Sequence, residues 1–209
     1  MTIFTCPSRG ETGKFVCIAE SFPNLWKHNI LDVGCRSRKL KSALPQNVNY
    51  YGLDIRQPAD ILGNLNKNLP FHNQSFNTVV ALDVLEHTDD IHHALSELCR
   101  VAKNHIIITL PNAYEITNRV KLLFGKKLSK YGLPPQKPDD RHRWFFSHWE
   151  AVQFIRQLSH QHQFQVIKEG CLVGPKRKKL LRCFFIARFP NLFSPCYVAL
   201  LQRVRRART

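Results

Sequence analysis

The sequence predicts a three-layer α/β fold built on a mostly parallel sheet, and three observations carry that reading. Short apolar runs alternate with stretches of helical periodicity, the signature of consecutive βα units. Several of the runs end abruptly at turn-forming residues, as Ile30–Val33 does at Gly34 and His105–Leu110 does at Pro111. The chain of 209 residues, 44% hydrophobic and 22% charged, has the length and composition of one globular domain with a proper core.

Taken in order, the strands are expected at Ile30–Val33, Tyr50–Asp54, Ile61–Asn64, Thr78–Asp83, His105–Leu110, Phe164–Ile167 and Cys196–Leu201. Between the fourth and fifth, Ile91, Leu95, Leu98 and Val101 recur at helical spacing and lay one apolar stripe on the sheet. A second helix starts at Ser147, which with Glu150 fits a capping box, and Trp149, Val152, Ile155 and Leu158 form its expected buried face. Residues 1–28 read as an N-terminal cap. Residues 113–146, with Gly125, Gly132, Pro134, Pro135 and Pro138, break the alternation, as functional insertions do.

The net charge of +16 is unevenly placed. Residues 1–112 hold 11 basic and 10 acidic side chains, residues 113–146 hold 8 and 3, and residues 175–209 hold 10 and none. Such an excess suits an anionic partner (nucleic acid, anionic lipid or a phosphorylated substrate) or simply a solvated basic surface. Seven scattered cysteines without a C-x-x-C pair argue against a disulfide framework or structural zinc and for a reducing, cytoplasmic compartment. Neither a signal peptide nor an apolar run of the roughly 18 residues that span a bilayer is visible.

In an open α/β sheet, ligands bind beyond the carboxyl ends of the strands. The first strand runs into Asp32-Val33-Gly34-Cys35, where a glycine lets backbone approach a ligand closely. Asp54 closes the second strand, 22 positions beyond Asp32, where a carboxylate can accept both hydroxyls of a ribose. These features point to a nucleoside-containing cofactor. A dehydrogenase would share them, but no G-x-G-x-x-G follows the first strand.

Within residues 64–87, Leu69-Pro70-Phe71, Ser75-Phe76 and a buried strand closing in Asp83-Val84-Leu85-Glu86-His87 follow one another. This segment resembles the class I S-adenosylmethionine-dependent methyltransferases of the small-molecule- and glycan-modifying type, and Thr109-Leu110-Pro111-Asn112 is similar to the same family. The resemblance covers residues 29–112 closely and 142–202 loosely. It implies a Rossmann-like three-layer sandwich whose mostly parallel seven-stranded sheet has one antiparallel strand. The methyltransferase domain would span 29–209, with a substrate-side insertion at 113–146.

The resemblance also implies roles. S-adenosylmethionine would have Asp32, Gly34, Cys35 and Arg36 beside its methionine part. Asp54 would hold the ribose and Ile55 the adenine face, with Asn64 and Leu65 near the adenine amino group. Asp83 and Val84 would form the floor beneath the sulfonium. The acceptor, a small molecule or glycan methylated on oxygen or nitrogen, would meet Asn112, Tyr131, His142, Arg143 and Trp144. Phe145 and Phe146 are expected in the core. Methyl transfer needs mainly alignment and exclusion of water. A base matters for a hydroxyl acceptor, and His87 is the candidate, its alternative role being structural. Asp89, Asp90, His92 and His93 resemble a metal cluster but read as the start of a helix, so no metal-ligating set is expected.

The chain departs from the family at Arg36 and Arg38, which stand where glycines are common and where positive φ is disfavoured for arginine. Arg36 is suited to pair with the cofactor's carboxylate. Two other readings therefore stay open: an inactive methyltransferase-like binding module, and an RNA methyltransferase drawn to nucleic acid by the basic excess. The second lacks an Asn/Asp-Pro-Pro-aromatic run after the fourth strand. Lys176–Lys179 next to Leu180, Leu181, Phe184, Phe185 and Ile186 could dock residues 176–186 on an anionic membrane, making the protein peripheral to it.

Overall fold

The computed structural model describes residues 2–6, 11–128, 130–131, 135–136, 141–174 and 179–204. Among them, eight strands form one sheet: β1 (Thr2–Thr5), β2 (Ile30–Val33), β3 (Tyr50–Asp54), β4 (Ile61–Leu62), β5 (Phe76–Leu82), β6 (Ala102–Pro111), β7 (Phe164–Val173) and β8 (Cys196–Arg203). The helices are α1 (Glu11–Ser21), α2 (Lys39–Ala43), α3 (Ile91–Val101), α4 (Ile116–Leu123), α5 (His148–Gln161), α6 (Lys179–Arg188) and α7 (Pro190–Phe193). The strand order is β1-β7-β8-β6-β5-β2-β3-β4. Only β8 runs antiparallel, against both β6 and β7.

The layers follow from the two-residue period of the strands. Val79 and Ala81 of β5, with Ile106 and Ile108 of β6, face α3 and α5 in one core. Val80, Leu82 and Ile107 face Cys17, Ile18 and Ala19 of α1, Leu40 of α2, and Phe22 and Trp26 in the other. The crossover point falls between β5 and β2, so the carboxyl ends of β2, β3 and β5 open on one edge.

The expected seven strands are present, and the eighth is β1 at the edge, paired in parallel with β7. Its approach requires Gly170, where a Cβ would lie 1.9 Å from the Thr2 carbonyl oxygen. The helix expected from Ser147 is α5, capped as foreseen: Ser147 Oγ accepts from Glu150 N–H at 3.2 Å, and Glu150 Oε2 from Ser147 N–H at 2.7 Å. Its buried face is corrected at one position. Trp149 is 52% exposed, because His148 takes the inward place of the first turn with Ala151, Val152 and Ile155 following it. Phe145 is likewise exposed, tilted against the Tyr114 ring, while Phe146 packs on the core.

The six described cysteines are buried, and none of them is in a disulfide with another described residue. No helix among the described residues is long and apolar enough to cross a membrane. Lys176–Lys178 of the basic run, and the side chains of Lys179, Leu180 and Leu181, lie outside the described residues.

Candidate functional site

The turn after β2 holds a left-handed position at every second residue: Gly34 (φ 73°), Arg36 (46°) and Arg38 (59°). Gly34 and Cys35 donate their N–H groups to the Leu53 carbonyl at 2.8 and 3.2 Å, which ties the turn to β3. The two arginines thus take the backbone path that glycine adopts freely, at a cost of roughly 1–2 kcal/mol each. Specific contacts offset it. Arg36 N–H donates to Asp54 Oδ2 at 2.9 Å, and the Arg38 guanidinium pairs with Asp60 at 2.6 Å and lies over the Tyr50 ring.

Gly34 is required on a second count, since a Cβ there would sit 2.5 Å from Val84 Cγ2. Gly34→Ala is expected to destabilise the fold by about 2–4 kcal/mol, from positive-φ strain plus overpacking against Val84. Urea unfolding checks this, and an unchanged midpoint would show that the turn is softer than its geometry.

Asp54 stands half-exposed at the end of β3 and accepts from Arg36 N–H at 2.9 Å and Arg56 N–H at 3.2 Å. Both bonds come from the protein side and hold the carboxylate in place with acceptor capacity to spare. Ile55 follows it, 62% exposed and open on its apolar face. Asn64 is exposed, and its side chain accepts from Asn66 N–H at 2.9 Å; Leu65 is buried in the core. Asp32 lies beneath the turn, 2% exposed, accepting the Tyr50 hydroxyl at 2.7 Å. Burial raises its pKa to about 7, despite that hydrogen bond. Cys35 is also buried.

Asp83, expected in the floor of the site, adopts positive φ. It accepts from Lys14 Nζ and from Thr109 Oγ1, each at 2.5 Å. Burial opposes its charge, but Lys14 and Thr109 more than compensate and hold the carboxyl below its ordinary pKa. Lys14, penalised by the same burial, is held above its ordinary value by Asp83. Lys14 escaped the sequence reading. The available signal was a lone cation beside the apolar run Phe15-Val16-Cys17-Ile18-Ala19, a lysine placed to face inward.

Residues 141–146, which include three of the expected acceptor residues, are laced onto the turn after β5. Arg143 N–H donates to the Glu86 carbonyl at 2.8 Å, and Trp144 Nε1–H to the Thr88 carbonyl at 2.8 Å. His142 Nδ1 meets the Tyr131 hydroxyl at 2.9 Å, and the His87 and His142 rings are edge-to-face at 4.8 Å. The structure therefore gathers His87, Tyr131, His142 and Trp144. It does not bring the other two acceptor candidates to them. Arg143 turns out to an ion pair with Asp89. Asn112 is buried, donating to the Asn191 and Ser194 carbonyls and accepting from Tyr114 N–H, a clamp between β6 and α7. Asp90 caps α3, accepting from His92 and His93 N–H at 2.9 and 3.0 Å. Glu86, which the sequence left unassigned, is fully buried beside His87 and His142.

A family profile described as a methyltransferase domain matches residues 11–169. The chain belongs to that family, and its sheet is the class I form of it. Among solved structures, a SAM-dependent methyltransferase from Archaeoglobus fulgidus is 16% identical with a TM-score of 0.61, over 93% of this chain and 96% of that one. Magnesium protoporphyrin IX methyltransferase from Synechocystis PCC 6803, with bound SAH, is 19% identical with a TM-score of 0.57, over 92% and 81%. The [4+2]-cyclase SpnF shares the fold at 12% identity and a TM-score of 0.58, over 93% and 81%. No curated protein matches the chain by sequence.

Proposed function

We propose that the protein transfers a methyl group from S-adenosylmethionine to a small-molecule or glycan-type acceptor, on oxygen or nitrogen. The observation that carries this reading is Asp54, a carboxylate steered by two backbone N–H groups at the open end of β3, with exposed Ile55 next to it. That pairing suits a ribose and an adenine face. Related folds hold SAM or SAH. When bound, the donor supplies a sulfonium methyl that needs no activation. The chain's residues then have to orient the acceptor and exclude water. Tyr131, His142 and Trp144 form an aromatic wall for that purpose, closed over the turn that carries His87.

The decisive experiment is calorimetry with S-adenosylhomocysteine, followed by a screen of acceptors with methyl-labelled donor. Absence of binding at millimolar ligand would favour an inactive, methyltransferase-like module instead. The charge of +16 supports RNA as a second acceptor class, and a small RNA methyltransferase, HEN1, shares the fold. Salt-sensitive binding of RNA together with label transfer to it would select that class. On α6, Phe184 and Phe185 are exposed near Arg188, which supports peripheral docking on an anionic membrane. Flotation with acidic-lipid vesicles should therefore exceed flotation with neutral ones, and equal recovery removes the membrane from the reading.

A further inference from the structure

We infer that Glu86, His87 and His142 bind a divalent transition-metal ion at the acceptor end of the sheet, and that the ion holds an acceptor hydroxyl. The second half of this inference rests on the methyltransferase reading above, whereas the first half does not.

Glu86 is 0% exposed, and neither of its carboxylate oxygens has a hydrogen-bond partner among the described residues. An ionised carboxylate left so would cost several kcal/mol, roughly, and a neutral one would still leave its polar atoms unsatisfied. Two imidazoles face it, His87 Nε2 and His142 Nε2 each standing 3.8 Å from the same Oε1, while Lys14, Lys130 and Asp83 also act on its charge. That distance is too long for a hydrogen bond and suits atoms that share a third partner. The ligand atoms of the three residues all lie within 4.8 Å of one another. An ion about 2.1 Å from each would draw that set slightly inward.

The two rings are oriented for coordination through their far nitrogens. His87 Nδ1 lies 2.9 Å from the Arg141 carbonyl, which can only accept, so this nitrogen carries a proton. The Tyr131 hydroxyl donates to the Trp144 carbonyl at 3.3 Å, and with its one proton so used it accepts from His142 Nδ1 at 2.9 Å. In a neutral ring each Nε2 is then the nitrogen with the lone pair. Ligating histidines are held in this way, by outward hydrogen bonds that fix ring and tautomer.

Two imidazoles and one carboxylate favour zinc, manganese, cobalt or iron over magnesium and calcium, which prefer all-oxygen sites. Three protein ligands leave coordination positions open. Glu86 and His87 follow Asp83 and Val84 with only Leu85 between them, so the open side adjoins the place proposed for the sulfonium. A hydroxyl bound there has its pKa lowered and loses its proton to solvent water. Its oxygen then forms the new C–O bond to the methyl carbon as the C–S bond breaks, and sulfur keeps the electron pair as a neutral thioether. The site therefore selects oxygen over nitrogen acceptors.

The test is a titration of full-length, metal-stripped protein with cobalt(II), read by its visible d–d absorption. One equivalent is expected to bind. His142→Gln and His87→Gln should each weaken binding by about 100-fold, and Tyr131→Phe, which loosens only the orientation of His142, by about 10-fold. Glu86→Gln removes the third ligand, and circular dichroism of each variant separates loss of the site from loss of the fold. No saturable binding below millimolar cobalt, or binding unchanged in both histidine variants, overturns the inference. S-adenosylhomocysteine calorimetry on the same stripped protein keeps the two readings apart. Binding of the nucleoside without cobalt binding sinks the metal site alone. Cobalt binding lost in the variants, without nucleoside binding, leaves the site standing and sinks the methyltransferase reading.

Discussion

Asp54→Ala is expected to weaken S-adenosylhomocysteine binding by about 100-fold or more, while Asp54→Asn costs about 10-fold. A carboxylate that accepts two ribose hydroxyls makes two charge-assisted hydrogen bonds, each contributing about 1.5–3 kcal/mol, and each 1.4 kcal/mol is a factor of ten in affinity. The geometry favours the upper part of that range, because Arg36 and Arg56 N–H hold Asp54 in place before any ligand arrives. Preorganisation of this kind lowers the cost of ordering on binding. The same substitution should lower folding stability by only about 1 kcal/mol: Arg36 loses the contact that offsets its positive φ, but the site is half-exposed and water can replace the lost acceptor on both N–H groups. Calorimetry beside thermal denaturation reads both quantities. A variant with native affinity and lowered melting temperature would make Asp54 a brace for the turn and remove the ribose from the reading.

The sheet was legible because each central strand is a local event. Ile30–Val33 and the run through Val79–Leu82 are buried on both faces, so hydrophobicity alone marks them, and Tyr50–Asp54 is buried apart from Tyr51 and the end at Asp54. β1 was not legible for the opposite reason. Thr2-Ile3-Phe4-Thr5 is too short to stand out, and it becomes a strand only because Gly170, far along the chain, admits its backbone. β7 extends to Val173 through Lys168 and Glu169, a charged pair that reads as the end of a strand. Glu169 is accommodated because it accepts the Tyr197 hydroxyl at 2.8 Å and pairs with Arg156. In α5 the helix and its cap were visible, but the rotation was not, because a tryptophan outranks a histidine on any hydrophobicity scale while His148 is the residue that packs against Tyr197.

The site divides along the same line. Gly34 and Asp54 were visible because a backbone turn and a strand-end carboxylate announce themselves within a few residues. Arg36 and Arg38 were read as a threat to the turn, and the structure resolves it: both adopt positive φ, held by Asp54 and Asp60. Lys14 reaches Asp83 across 69 positions, and the segment bearing His142 reaches His87 across 54. Neither juxtaposition has a spacing to detect. Glu86 was hidden in another way, inside a motif whose family likeness made it look fully explained.

Between about pH 4 and 6.5 the contributions of Asp32 and His148 to stability should cancel, and single substitutions should tilt the profile in opposite directions. Two buried groups oppose one another. Burial raises Asp32 from an ordinary 3.8 to about 7, against the Tyr50 hydrogen bond and with Asp54 adding to the rise. Its contribution is present below 3.8 and lost as pH climbs to about 7, worth about 4 kcal/mol at roughly 1.4 kcal/mol per pH unit. Burial lowers His148 from 6.5 to about 4, with Glu169 opposing. Its contribution is present above 6.5 and lost as pH falls to about 4, worth about 3 kcal/mol. Across the shared window the slopes cancel. Asp32→Asn can keep the Tyr50 hydroxyl as a partner and removes the alkaline loss, so this variant should gain about 3 kcal/mol between pH 4 and 6.5 and exceed the native protein at pH 8. His148→Gln should do the reverse, losing about 3 kcal/mol over the same interval. Urea unfolding at half-unit pH steps measures both, and parallel profiles for the two variants would mean that neither group titrates as its burial demands.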